Sequence, residues 1–218
     1  MLSTVLNSAW YIANLPSYLS LKHNFSNPRA SQKKVLGEIL RSNAKTVFGK
    51  RFRFSSIRHI RDYQNTVPVQ QYDDMSHMVE DIKRGEPNVL TREPVTHLMP
   101  SSGTASARKL IPHTRSLQNQ FDRAIAAWIV DTYSRHPGLV QGRAYWSITP
   151  CLEEEAGQYS VPVGFQRDSS YLGGIKQRLV EPLMAVQQDI AQISDAEAFR
   201  YITLLELLRC RDLRLISV

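Results

Sequence analysis

Cysteine is scarce in this 218-residue sequence, with Cys151 and Cys210 alone and no C-x-x-C pair. Neither a disulfide framework nor a structural zinc site is expected, and the composition suits a reducing cytoplasm. Long apolar runs are lacking, so no membrane-spanning helix is expected. The opening stretch Met1 to Leu21 is moderately apolar, but no base precedes it and Asn14 and Pro16 interrupt it. It does not read as a secretory signal. A short docking helix around Ser3 to Asn14 is the expectation instead. The six histidines form no H-E-x-x-H and no i, i+4 pair, and no G-x-S-x-G elbow is present. A metal centre and serine hydrolysis both lack their usual signatures.

Charge is unevenly spread. Nine of the 27 Lys and Arg residues, and one of the 20 acids (Glu38), lie between Lys33 and Arg61, which gives that segment +8 of the total +7 and leaves −1 for the rest. A basic stretch can bind nucleic acid or an anionic surface. It is more often a solvated helix face. Here Val35, Leu36, Ile39 and Leu40 supply helical apolar spacing, so a folded element is expected and nucleic acid is not the expected partner. Phe52 and Phe54 read as a core anchor.

The remaining periodicity predicts a mixture of helices and short strands. Helices are expected over Pro28 to Asn43 and Ile57 to Tyr63, with a turn-rich connector over Thr46 to Ser56 and an extended Val67-Pro68-Val69. Asp73 or Asp74 is expected to cap a helix running to Lys83, stopped by Gly85. Val95 to Met99 reads as a strand and Leu110 to Pro112 as another extended piece. Thr114 is expected to cap a long helix with its apolar face on Leu117, Phe121, Ala124, Ile125, Trp128 and Ile129, closed by Pro137-Gly138. Arg143 to Ile148 alternates like a strand, and Cys151 to Tyr171 is loop-rich. Ser194 and Glu197 form a capping-box pattern for a helix with Phe199, Ile202, Leu205 and Leu208 on one face. Leu213 to Val218 reads as the beginning of a strand.

Between the two central strands lies Pro100-Ser101-Ser102-Gly103-Thr104-Ala105-Ser106-Ala107-Arg108-Lys109. Ser101, Ser102, Thr104 and Ser106 offer hydroxyl donors. Gly103 permits close backbone approach, and consecutive amides in such a loop form an anion-binding nest. Arg108 and Lys109 add positive charge at its far end, a set that suits a polyphosphate. With a single glycine it is not a G-x-x-x-x-G-K-[ST] loop. Taken alone, the segment is equally an ordinary polar turn.

The order strand, hydroxyl-rich loop, Lys, strand, capped helix resembles the phosphate-binding motif of adenylate-forming enzymes, [Ser/Thr]-Ser-Gly-Thr-[Ser/Thr]-Gly-x-x-Lys. Lys109-Leu110-Ile111-Pro112, in place of the Lys-Gly of acyl-CoA synthetases, resembles the Gretchen Hagen family of acyl acid–amido synthetases. Phe48-Gly49-Lys50, Val67 to Tyr72 and Ile82 to Leu90 are also similar to that family. Val161-Pro162-Val163-Gly164 and Ser170-Tyr171-Leu172 are more loosely so. The similarity spans about Lys33 to Val218 and is specific from Val67 to Thr114. Ala105 stands where Ser or Thr is usual and Ser106 where Gly is usual, changes that bear on phosphate affinity.

The resemblance implies an α/β fold, part of a large amino-terminal domain with a mixed sheet flanked by helices. It implies ATP and Mg²⁺ as cofactors, with a carboxylic acid substrate and an amine acceptor. Phosphate contacts would come from Ser101, Ser102, Gly103, Thr104, Ala105, Ser106, Arg108 and Lys109. The family's adenine and ribose motifs and its mobile carboxy-terminal domain have no counterpart up to Val218. Residues 1–218 are accordingly expected to be an incomplete amino-terminal domain, inactive by itself. An acyl-CoA-type thioester ligase shares the first half-reaction and remains the alternative, as does a binding module built on the basic segment. His97 and His113 flank the loop and read as structural. Glu153-Glu154-Glu155 reads as an exposed acidic loop, and no catalytic base is assigned.

Overall fold

The computed structural model describes residues 2–101, 109–146, 159–163, 180–193 and 195–217. The chain divides into two units, one of residues 1–22, 119–153 and 165–218, the other of residues 23–118 and 154–164. Among the described residues the strands form two pairs, β1 (Val95–Pro100) antiparallel to β2 (Leu110–Thr114), and β3 (Arg143–Trp146) parallel to β4 (Leu213–Ser217). The architecture is of the expected α/β class, with small sheets among helices.

In the second unit, α2 (Pro28–Asn43) occupies the predicted span, with Pro28 at the first turn and the Asn27 side chain accepting from the Ala30 N–H at 3.2 Å. The connector after it is more ordered than expected. Thr46 caps a short helix α3 (Val47–Arg51), accepting from the Gly49 N–H at 2.9 Å and donating to the Asn43 carbonyl at 2.8 Å. A Cβ on Gly49 would lie 1.9 Å from that carbonyl, so the turn closes only over glycine. Helix α4 (Ile60–Thr66) begins three residues later than predicted, because the Asp62 carboxylate accepts from the Arg58 and His59 N–H groups and fixes the start there. These same backbone bonds hold the Asp62 carboxyl below its ordinary pKa. Helix α5 (Tyr72–Lys83) is capped at Gln71, not at Asp73 or Asp74. Asp74 is its third residue and reaches back to the Gln71 N–H at 2.8 Å. The helix is followed, as expected, by Gly85 with φ +88°.

Two apolar clusters hold this unit. Met78, Val79 and Ile82 of α5 pack with Val89, Leu98 of β1, Leu110 of β2 and Val161. Leu40, Phe54, Ile57 and Val67 form the other, with Phe48 and Phe52 against it. Phe52 and Phe54 are thus the core anchor the sequence suggested. Full burial of a side chain such as Leu98, 0% exposed, contributes on the order of 2–3 kcal/mol.

The first unit departs further from the sequence reading. Helix α1 (Leu2–Ser26) carries Pro16 inside it and runs well past the predicted Asn14. Asn14 does not interrupt it, since its buried side-chain amide donates to the Trp10 carbonyl one turn back at 2.8 Å. Asn7, 1% exposed, donates to the carbonyls of Val140 and Gly142 and accepts from the Tyr133 hydroxyl. Burial pushes that hydroxyl's pKa up to about 12.

Helix α6 (Arg115–Arg135) buries Ala126, Ala127, Ile129, Val130 and Tyr133. Of the predicted face only Ile129 is fully buried, while Leu117, Phe121 and Trp128 stay exposed. Helix α7 (Ala196–Arg209) is capped by Asp195, which accepts from the Ala198 N–H at 2.7 Å. A carboxylate next to the helix displaces the predicted Ser194 cap, and Ser194 itself lies outside the described residues. Phe199 and Leu207 pack inward as part of a cluster around Tyr145, Ala185, Val186 and Cys210, but Leu208 is 84% exposed. The predicted strands at Arg143 and Leu213 are present, and an ion pair between Arg143 and Asp212 at 2.8 Å joins their starts. Ser147 and Ile148, and most of the loop-rich stretch from Cys151, Glu153, Glu154 and Glu155 to Ser170-Tyr171, lie outside the described residues. No helix among the described residues is long and apolar enough to cross a membrane.

Candidate functional site

The hydroxyl-rich segment connects the two strands of a hairpin. Its ends meet where the Ser101 N–H donates to the Lys109 carbonyl at 2.8 Å. In an antiparallel ladder, bonded and non-bonded pairs alternate. Met99↔Ile111 is then a bonded pair, and Pro100↔Leu110 and Leu98↔Pro112 are non-bonded pairs whose N–H positions face away from the partner strand. Both prolines therefore sit where no ladder donor is needed. The two N–H groups that do point outward find other acceptors. Leu98 donates to the Pro162 carbonyl at 2.8 Å, beside a parallel bridge from Leu98 to Val163. Leu110 donates to the Tyr72 hydroxyl at 2.9 Å.

Further down the hairpin the register shifts between Val95 and His97, and the Thr96 hydroxyl donates to the His113 carbonyl at 3.1 Å. His97 and His113 are cross-strand partners with rings stacked at 4.3 Å. Burial, with a smaller contribution from the His113 charge, pulls the His97 pKa down to about 4, and burial lowers that of His113. Both imidazoles are neutral at pH 7. The hairpin then runs directly into α6, where the Thr114 hydroxyl accepts from the Leu117 N–H at 3.2 Å, as the sequence predicted. Glu93 adds a second cap that the sequence did not disclose, accepting from the Ser116 N–H at 3.1 Å, and its carboxyl is held below the usual range mainly by bonding to Ser116.

Two of the named phosphate-loop residues belong to this frame. Ser101 is half-buried at the end of β1, and Lys109 is exposed immediately before β2. Ser102, Gly103, Thr104, Ala105, Ser106 and Arg108 lie outside the described residues. Lys109 Nζ stands 5.8 Å from the centroid of the Tyr72 ring. Tyr72 is thus the neighbour that sequence reasoning passed over. It belongs to a segment similar to the family, but its place beside the loop comes from α5 packing against β2. Among the described residues no three His, Cys, Asp or Glu side chains gather as a metal site.

The basic segment is spread over α2, α3 and α4 as folded structure. Its phenylalanines pack on each other, with Phe48–Phe52 and Phe48–Phe54 ring centroids 4.7 and 5.8 Å apart. They serve the core and do not form an exposed stacking platform of the sort single-stranded nucleic acid uses.

Comparison with known proteins agrees with this frame. The chain is 32% identical over 129 residues to the indole-3-acetic acid-amido synthetase GH3.2 of Arabidopsis thaliana, covering 56% of this chain and 23% of that protein. It is 34% identical over 145 residues to GH3.17 of the same plant, covering 63% and 24%. The solved AtGH3.15 acyl acid amido synthetase in complex with 2,4-DB superposes with a TM-score of 0.75 at 26% identity, covering 91% of this chain and 35% of that one. The chain thus spans about a quarter to a third of the length of these relatives. Residues 19–218 match the GH3 family N-terminal domain, and the chain belongs to that family.

Proposed function

We propose that this chain provides the triphosphate-handling part of an acyl acid–amido synthetase. A carboxylate oxygen attacks the α-phosphorus of ATP. An O–P bond forms, the bond to the β-phosphate oxygen breaks, and pyrophosphate leaves. An amine nitrogen then attacks the acyl carbon of the acyl-AMP, the amide forms, AMP departs and the amine's surplus proton passes to water. The task of the loop is electrostatic. Ser101, Ser102, Thr104 and Ser106 hold the β- and γ-phosphates, Gly103 lets the backbone approach, and Arg108 and Lys109 offset the charge of the departing pyrophosphate. Mg²⁺, whose ordinary ligands are phosphate and water oxygens, would arrive on the triphosphate and supply further charge compensation.

The observation that carries this reading is the hairpin closed between Ser101 and Lys109. It holds the two ends of a hydroxyl-rich anion loop together and presents a lysine at its exit. The relatives' names speak for an amine acceptor over a thiol. A reducing cytoplasm suits the two-cysteine composition. The remainder of the catalytic machinery would come from sequence equivalent to the portion of the relatives that this chain does not span.

The test is ATP–pyrophosphate exchange by the full natural protein with Mg²⁺, across a panel of aryl and alkyl carboxylic acids. Exchange confined to particular acids is expected, followed by amide formation with an amino acid and not with coenzyme A. A folded protein giving no exchange with any acid refutes the proposal.

A further inference from the structure

The exit of the loop is held from outside the hairpin, and Tyr72 does the holding. Its hydroxyl accepts from the Leu110 N–H at 2.9 Å, a donor that the non-bonded Pro100↔Leu110 pair aims away from β1. Its ring faces the Lys109 ammonium at 5.8 Å, within reach of a cation–π attraction. Two consecutive residues, one through its backbone and one through its side chain, are therefore engaged by a single phenol. The phenol is itself fixed. Tyr72 is the first residue of α5, whose start is closed by the Asp74–Gln71 bond, and it packs partly buried against the cluster of Met78, Val79, Leu98 and Leu110.

Resting on the triphosphate reading above, we propose that Tyr72 is the positioning residue for Lys109. The hydroxyl sets where the chain leaves the loop, and the ring sets where the ammonium waits before the nucleotide arrives. A lysine on a four-carbon stem has much rotamer freedom to lose on binding an anion. An ammonium already held over a ring that is tied to the adjacent backbone loses less. The contribution falls on groups that meet the β- and γ-phosphates, so it should favour ATP and leave AMP unaffected.

The experiment titrates the full natural protein with ATP and, separately, AMP in the presence of Mg²⁺, by calorimetry, for the unaltered protein, Lys109→Ala, Tyr72→Phe and Tyr72→Leu. Lys109→Ala is expected to weaken ATP by about fivefold or more and Tyr72→Leu by about two- to fivefold, with AMP unchanged. Tyr72→Phe keeps the ring but removes the acceptor of the Leu110 N–H, so its ATP affinity should fall between those of the unaltered protein and Tyr72→Leu. A general loss of structure would instead lower both nucleotides together. ATP weakened by Lys109→Ala but untouched by Tyr72→Leu overturns the role of Tyr72 and leaves the triphosphate reading intact. No ATP binding by the unaltered full protein, or no effect of Lys109→Ala, overturns that reading and this inference with it. Should Tyr72→Leu fail to fold, NMR of the unaltered protein decides the point, with Lys109→Ala for assignment. An upfield ring-current shift of the Lys109 ε-methylene is expected, and its absence refutes the proposal.

Discussion

Replacing Asn7 with alanine should destabilise the first unit by about 3–4 kcal/mol. The side chain is 1% exposed and makes three hydrogen bonds, to the Val140 carbonyl at 3.1 Å, the Gly142 carbonyl at 2.9 Å and the Tyr133 hydroxyl at 2.9 Å. Each neutral bond is worth about 1 kcal/mol net, and a partner stranded in the interior costs more. The protein lends itself to the assay because Trp10, Trp128 and Trp146, its three tryptophans, all fall in the first unit. Trp10 lies 5.5 Å from Trp146 and 6.3 Å from Tyr133, beside the network. Urea unfolding followed by tryptophan emission therefore reports on the unit that Asn7 serves. A double-mutant cycle with Tyr133→Phe should return a coupling of about 1 kcal/mol for the one bond those residues share. Asn7→Asp should be worse than Asn7→Ala at neutral pH, since it buries a carboxylate facing two carbonyl oxygens. With its folded pKa raised, that variant should recover stability as pH falls through the raised value. An Asn7→Ala protein within about 0.5 kcal/mol of the unaltered one would refute the reasoning.

Two further perturbations follow from the hairpin and the α3 turn. Gly49→Ala places a Cβ 1.9 Å from the Asn43 carbonyl and should cost about 2–3 kcal/mol by forcing the Thr46 cap open; amide exchange of the Gly49 region reads it, and unchanged protection would contradict the close packing. His97, with its pKa lowered from 6.5 to about 4, binds fewer protons folded than unfolded between those values. Stability is therefore kept above pH about 6.5 and lost as pH falls toward 4. Because the ring keeps part of its surface in water, about 1–2 kcal/mol of the full linkage is expected. The difference in stability between the unaltered protein and His97→Gln should shrink by that amount from pH 7 to pH 4.5, and a pH-independent difference would exclude the linkage.

What could be read in advance was what local chemistry decides. The span of α2 from Pro28, the Thr114 cap of α6 and the extended pieces on either side of the hydroxyl-rich segment were legible, whereas the Asn27 cap emerged only in the structure. Where two caps competed, the sequence was ambiguous. Asp62 and Asp74 act from the third helical position, Asp62 fixing the start of α4 at Ile60 and Asp74 closing α5 at Gln71 instead of capping it. Helix faces were misread where one helix carries two apolar stripes. In α6 the stripe through Ala126, Ile129, Val130 and Tyr133 turns inward, and the equally periodic stripe through Leu117, Phe121 and Trp128 does not. Asn14 and Pro16 break the apolar run without ending the helix, which continues to Ser26 with the Asn14 amide bonded to the Trp10 carbonyl. At the candidate site, the loop and Lys109 were legible as a motif. Tyr72 was not, because its link to Leu110 joins positions 38 residues apart through packing alone.

The prolines of the hairpin have a consequence for how the loop can vary. Were β2 to slip by one residue against β1, Pro112 would fall on a rung that requires an N–H, and Leu110 would turn from the core to the opposite face. The strands thus have no acceptable alignment one residue away. A single-residue insertion or deletion between Ser101 and Lys109 cannot be absorbed by sliding the strands. Such a change must alter the number of residues in the loop itself.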